Sequence, residues 1–157
     1  MENTLKIKSL EDSVERIFQS EGDAGLDLRV SGNFIIDLDG EKKEVIQDFY
    51  EIKPTERILV KTGVAVAIPK GCWGEIKDRS GNALKYGLHI LGGVIDETYR
   101  GEIGVILINL GSNVYRVNKN DRIAQMIISE YKSVNVEYVN ELDNTTRGQG
   151  GFGSTGK

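Results

Sequence analysis

Cysteine is nearly missing: Cys72 stands alone among 157 residues, which excludes an intramolecular disulfide and any cysteine-built zinc cluster. Proline is almost as scarce, with only Pro54 and Pro69. An excess of positive charge is also lacking. The 20 Lys and Arg are interspersed with 24 Asp and Glu for a formal charge of -4, so there is no electrostatic footprint for a nucleic-acid backbone or an acidic membrane, although a small anion could be bound locally. The first 19 residues alternate charged with apolar side chains and contain neither an apolar signal core nor a spanning segment of ~20 residues. These absences imply a soluble protein of a reducing, cytoplasmic compartment, with neither nucleic acid nor membrane among its partners.

Glycine, in contrast, is abundant at 19 residues, which implies many turns. The length suits one domain with a sizeable core. Leu5, Ile7 and Leu10, spaced by polar residues, suit a first strand, and 13–20 suits one or two helical turns or a loop. In 26–30 the leucines face one side and Asp27 the other. Segments 33–38 and 44–52, joined by a turn at Asp39-Gly40, form a hairpin whose poor alternation and high charge make it peripheral. Short runs at 58–60, 64–68 and 72–77 are broken by Gly63, Pro69 and Gly71. A strand at 114–117 would pair with 123–129 across the 118–121 turn, and 134–139 would add another strand. The one plausible internal helix is 81–86, introduced by Arg79-Ser80. No internal repeat is visible. Regular short strands without a long 3.6-residue period argue for an all-β barrel or jelly roll with one short helix.

The stretch 92–101, GGVIDETYRG, lies between an apolar strand at 88–91 and another at 103–108. A carboxylate and an aromatic ring on a braced turn, Asp96 and Tyr99, could hold a water and cover one face of a small ring. An ordinary hairpin whose Asp accepts turn N–H groups has the same sequence. From Asn144 the chain reads NTTRGQGGFGSTGK, with almost nothing to bury. A Gly/Ser-rich stretch of this kind is ordinarily a flexible tail, but Arg147 and Phe152 add a phosphate fork and a stacking ring to a backbone able to turn its N–H groups toward an anion. The Gly151–Lys157 match to a phosphate-binding P-loop has no following Ser/Thr or helix, so it is a decoy.

Together these pieces resemble the homotrimeric dUTP pyrophosphatases (dUTPases), whose five short motifs occur here in family order. They are Ala24-Gly25-Leu26-Asp27-Leu28; Arg79-Ser80-Gly81; Gly93-Val94-Ile95-Asp96 with Tyr99-Arg100-Gly101; Asp121-Arg122-Ile123-Ala124-Gln125; and Arg147-Gly148 with Gly151-Phe152-Gly153-Ser154-Thr155-Gly156.

The resemblance implies a dUTPase-like β-clip barrel over 1–143 and a Gly-rich arm over 144–157 that closes on the site. It implies Mg²⁺-dependent hydrolysis of dUTP to dUMP and pyrophosphate, limiting uracil incorporation into DNA and supplying dUMP for thymidylate synthesis. Asp96 would orient and deprotonate the attacking water and would also accept from the 3′-hydroxyl, and Gln125 would lie near that water and the α-phosphate. Asp27 would hold Mg²⁺ through water. Arg79, Ser80 and Gly81 would contact the triphosphate, and backbone groups around Gly93 and Ile95 would read uracil. Tyr99 would pack on the deoxyribose, and the arm would bring Arg147, Phe152, Gly153, Ser154 and Thr155, with Phe152 stacking on the base. Each site would lie at subunit interfaces of a homotrimer.

Asp121 and Arg122 read as a structural ion pair. Asp78 stands where the family usually has proline, Asn82 where small or apolar residues are common, and Leu26 where an aromatic is frequent. The related dCTP deaminases carry a catalytic Glu at the position aligned with Ile106, which cannot shuttle protons. A nucleotide-sensing protein that keeps the fold without turnover is the other alternative.

Overall fold

The computed structural model describes residues 4–11, 17, 19–38 and 40–151. Its elements, in chain order, are β1 (Lys6–Ser9), β2 (Gly25–Arg29), β3 (Asn33–Leu38), β4 (Glu41–Ile46), β5 (Phe49–Ile52), β6 (Arg57–Ala67), β7 (Cys72–Asp78), α1 (Ser80–Tyr86), β8 (Leu88–Leu91), β9 (Val94–Ile95), β10 (Glu102–Asn109), β11 (Tyr115–Asn118) and β12 (Arg122–Glu130). One sheet runs β4-β3-β6-β10-β8 with β1 added on β6, a second runs β2-β12-β7-β9, and β11 pairs with β5 in a two-stranded ribbon. This is the all-β architecture with one short helix expected from the sequence.

Side chains of both sheets meet in one core, where Leu28, Phe34, Val60, Val105, Leu107, Ile123 and Met126 are at most 1% exposed. Each such aliphatic or aromatic side chain contributes ~1.5–3 kcal/mol through burial. Strand β10, an unbroken apolar run in the sequence, alternates in the structure, with Ile103, Val105 and Leu107 buried and Ile106 facing outward.

Several expected features differ. The runs 58–60 and 64–68 are one strand, because Gly63 adopts φ +70° and forms an irregularity within β6 without ending it. Strand β3 is not peripheral: it pairs with β6, and Phe34 and Ile36 enter the core. Its partner β4 is the solvent-facing strand, and a bend at 47–48 separates it from β5.

The expected pairing of 114–117 with 123–129 is not made. Strand β11 joins β5, while β12 lies between β2 and β7. The turn between them sends the chain from one sheet to the other, with Asn120 at φ +68° and the Asp121 carboxylate accepting the Asn118 N–H at 2.8 Å. No strand forms at 134–139; every residue from 130 to 149 is exposed, and the segment finds no sheet edge to pair with among the described residues. Most of the helical or loop segment at 13–20 lies outside the described residues.

Strands β8 and β10 are direct neighbours, with Leu91 opposite Ile106. Residues 92–101 are therefore not a tight hairpin turn. They leave the first sheet, pair β9 with Glu75 and Gly74 of β7 in the second sheet, and return. A backbone tied to both sheets has few ways to move, and that is what positions the residues carried on it.

Candidate active site

The strap between the sheets borders a cleft of about 440 Å³ whose lining includes Gly93, Ile95, Asp96 and Tyr99 over a floor of Leu59, Ile76, Leu91 and Ile106. Asp96 is exposed on its rim, and its main-chain carbonyl accepts the Tyr99 N–H at 3.0 Å. Among the described residues its carboxylate makes no hydrogen bond, so the turn leaves it available. This separates the Asp96 stretch from a hairpin whose Asp is consumed in capping. The Tyr99 hydroxyl donates to the Glu102 carbonyl at 3.0 Å, and the ring lies so close over Gly101 that a Cβ there would overlap it. The Gly93 carbonyl already accepts the Ile76 N–H at 2.8 Å. Beyond Asp96 the root of the C-terminal segment approaches: partial burial and the negative charges of Glu97 and Asp96 raise the Tyr131 phenol above its ordinary pKa.

A second cleft, about 380 Å³, is lined by Asp23, Ala24, Gly25, Asp27, Arg79, Ser80, Gly81, Arg122 and Gln125. It gathers three of the sequence motifs into one place. Asp27 is 17% exposed in its side chain and divides its oxygens between Arg79 Nε and Arg122 Nη1, each at 3.0 Å. Gln125 Nε2 donates to the Asp78 carbonyl at 2.8 Å, and only glycine at position 25 leaves room for its side-chain oxygen.

Arg122 does not pair with Asp121, as the sequence suggested. A strand puts positions three apart on opposite faces. The register shift between Arg122 and Ala124, however, inserts one residue against β2, so Ile123 and Ala124 are both buried and Arg122 shares the outer face with Gln125. The signal that could have found this is the consecutive buried pair Ile123-Ala124 inside an otherwise alternating strand. Asp78, the residue in the proline position, turns away from the cleft: its carboxylate meets His89 Nδ1 at 2.8 Å and accepts the Ile90 N–H at 2.7 Å. It braces β7 against β8 and does not face the place where an anion would sit.

The clefts share no lining residue. Asp96, Tyr99, Gly93 and Ile95 belong to one, and Asp27, Arg79, Ser80, Gly81 and Gln125 to the other. Arg147 lines neither; it is exposed and bonds its own turn through Nε to the Gly150 carbonyl at 2.9 Å. Phe152, Gly153, Ser154 and Thr155 lie outside the described residues. No group of three or more potential metal-ligating side chains occurs among the described residues. That donor set suits a hydrated Mg²⁺ carried mainly by a ligand's phosphates, since Mg²⁺ keeps several waters and takes few direct carboxylates. Asp23 and Asp27 are the carboxylates that line the arginine-bearing cleft. Sequence reasoning missed Lys61, Glu102 and Ile106 in the first cleft, because which face of a strand is outward depends on its partners.

One recess has an apolar floor and an exposed carboxylate, the other is lined by arginines, carboxylates and glycines, and the strands that carry them define an all-β protein with two separate clefts. Comparisons with known proteins narrow that class. A dUTPase family profile matches residues 44–156. Deoxyuridine 5′-triphosphate nucleotidohydrolase from Trichodesmium erythraeum is 45% identical over 97% of this chain and 98% of its own length. The vaccinia virus (strain Copenhagen) protein of the same name is 54% identical over 68% of this chain and 72% of its own. Among solved structures, a Staphylococcus bacteriophage 80alpha dUTPase variant with dUpNHpp superimposes with a TM-score of 0.82 at 26% identity, covering 99% of this chain and all of that one. The chain belongs to the dUTPase family.

Proposed function

We infer that this protein hydrolyses dUTP to dUMP and pyrophosphate, and that the observation carrying this reading is Asp96: an exposed carboxylate with no hydrogen bond among the described residues, held on a strap between the sheets beside Tyr99. Asp96 orients the attacking water and takes its proton as the water oxygen bonds the α-phosphorus and the bond between the α and β phosphates breaks to release pyrophosphate, and it accepts the sugar 3′-hydroxyl. Attack at phosphorus needs mainly positioning and charge stabilisation. Arg79, Ser80 and Gly81 hold the triphosphate, and Gln125 steadies the α-phosphate and the water. Mg²⁺, when bound, would neutralise charge on the phosphate oxygens, and Asp27, which pairs with Arg79 and Arg122, would hold it through water. Tyr99 walls the deoxyribose, and backbone groups near Gly93 and Ile95 read the base. Ile106 sits in this cleft, 38% exposed, and offers no proton relay for deamination.

Asp96 and Gln125 line different clefts of one chain, which supports a site completed by neighbouring copies, in a homotrimer. The arm with Arg147, Phe152, Gly153, Ser154 and Thr155 then closes over it, Phe152 stacking on uracil for ~1–3 kcal/mol. The exposed segment 130–149 supports an arm that leaves its own barrel at Tyr131, before the 144–157 stretch. The lone Cys72 and interspersed charge agree with a reducing, cytoplasmic setting. The test is pyrophosphate release from dUTP, dTTP, dCTP and UTP with Mg²⁺. Release confined to dUTP is the expected result, and its absence overturns the reading in favour of a nucleotide-sensing protein.

A further inference from the structure

We propose that Glu102 is a specificity-positioning residue: its carboxylate locks the end of the Tyr99 turn onto the irregularity in β6, and so decides how closely the Tyr99 ring stands against the sugar's 2′ position. The proposal rests on the reading of Tyr99 as the sugar wall.

The seam between β6 and β10 shows why. Glu102 lies opposite Ala65 and Gly104 opposite Lys61, so Thr62, Gly63 and Val64 on β6 face Ile103 alone on β10. Such a mismatch leaves backbone groups without ladder partners, and a buried unpaired group is costly. Residues 102 and 103 supply the missing partners. Glu102 accepts the Gly63 N–H at 2.8 Å with one carboxylate oxygen and Lys61 Nζ at 2.9 Å with the other, while Thr62 Oγ1 donates to the Ile103 carbonyl at 2.7 Å. The Gly63 N–H is available to Glu102 because φ at that residue is +70°.

The same residue holds Tyr99. Its main-chain carbonyl receives the Tyr99 hydroxyl at 3.0 Å, and the ring rests against Gly101. At its other end the Tyr99 N–H is bound to the Asp96 carbonyl at 3.0 Å. The ring is thus pinned at its backbone by the aspartate turn and at its hydroxyl by Glu102, whose side chain is 19% exposed and already committed to β6. Without the carboxylate, the Gly63 N–H and the Lys61 ammonium lose their acceptor, the start of β10 loosens, and the ring recedes. An apolar wall rejects an added hydroxyl by only about 10²-fold, so a small retreat is enough to admit a 2′-hydroxyl.

The experiment measures kcat/KM for dUTP and for UTP, together with Tm, in the wild type, Glu102→Ala, Glu102→Gln, Tyr99→Phe, Tyr99→Ala and the Tyr99→Phe/Glu102→Ala pair. Glu102→Ala is expected to lower the dUTP:UTP preference about tenfold, a share of the rejection available to an apolar wall. Glu102→Gln, whose amide oxygen still accepts the Gly63 N–H, should recover most of it. The Tyr99→Phe/Glu102→Ala pair should lose less than the product of its single losses, since both act through one ring. A folded Glu102→Ala protein with unchanged preference overturns the proposal, as do single losses that multiply fully. Should Glu102→Ala fail to fold, Tyr99→Phe decides, because it removes the anchor to the Glu102 carbonyl; an unaltered preference there overturns the proposal. Tyr99→Ala separates the layers. If it leaves the preference intact, the sugar-wall reading fails, whereas if it alone lowers it, only the role of Glu102 fails.

Discussion

The floor of the Asp96 cleft is Leu59, Ile76, Leu91 and Ile106, whereas the Asp27 cleft is lined by carboxylates, arginines, Ser80, Gln125 and glycines with little apolar surface. Their supports differ as much as their chemistry. Around Asp96 the backbone itself is held, by β9 pairing with β7 and by the bond from the Tyr99 N–H to the Asp96 carbonyl. Around Asp27 the side chains hold one another, through a carboxylate shared between Arg79 and Arg122. A backbone-held recess suits shape recognition of an uncharged ring and sugar. A recess of charged side chains can exchange those partners for phosphate oxygens, because Arg–carboxylate and Arg–phosphate bonds have similar geometry and strength.

The sharpest break of this comparison is Asp96→Asn, which should lower kcat by roughly 10²- to 10⁴-fold, the usual range for a general base, while leaving the nucleotide dissociation constant within a few-fold. Steady-state turnover and equilibrium binding of a dUTP analogue check both halves. Arg79→Ala acts on the opposite cleft and should raise KM by roughly 10- to 100-fold, from the loss of charged hydrogen bonds at ~1.5–3 kcal/mol each. Mixing and refolding these two impaired variants should restore part of the activity lost at subsaturating dUTP if the clefts that meet belong to different copies; no recovery would confine the site to one chain. Asp27→Asn should move the midpoint of a Mg²⁺ titration upward several-fold with a smaller effect on KM, since the amide contacts the hydrated ion without charge.

The smallest effect lies outside both clefts. Burial, with the hydrogen bond and charge of Glu56 adding to it, raises Tyr50 from 10.0 to about 12. The folded protein therefore holds that proton more tightly than the unfolded chain. The stabilisation is complete below pH 10 and disappears as pH rises through about 12. Tyr50→Phe should flatten this alkaline limb in urea unfolding, with little change in turnover at neutral pH.

Much of the molecule was readable from local pattern. The apolar run from Ile103 to Ile108 marks β10, and the short stretch after Arg79-Ser80 and before Gly87 marks α1. Motif residues of the first, second and fourth groups, Asp27, Arg79, Ser80, Gly81 and Gln125, come together along one cleft. What escaped was pairing. Gly63 looks like a strand break until Glu102 supplies its acceptor from another strand. Residues 134–139 look like a strand but find no edge among the described residues. Arg122 looks like a partner for Asp121 until a register shift turns it toward Asp27.

The amino-acid sequence alone determined which side chains are available, where the chain turns, and the two-residue rhythm that makes an all-β fold. Only the tertiary structure decided which strands are neighbours, which residue faces out at each irregularity, and that Asp96 and Gln125 occupy separate clefts. The reason is physical: the period of a strand is local, whereas its register is chosen by distant partners, and a shift of one residue exchanges every inward side chain for an outward one.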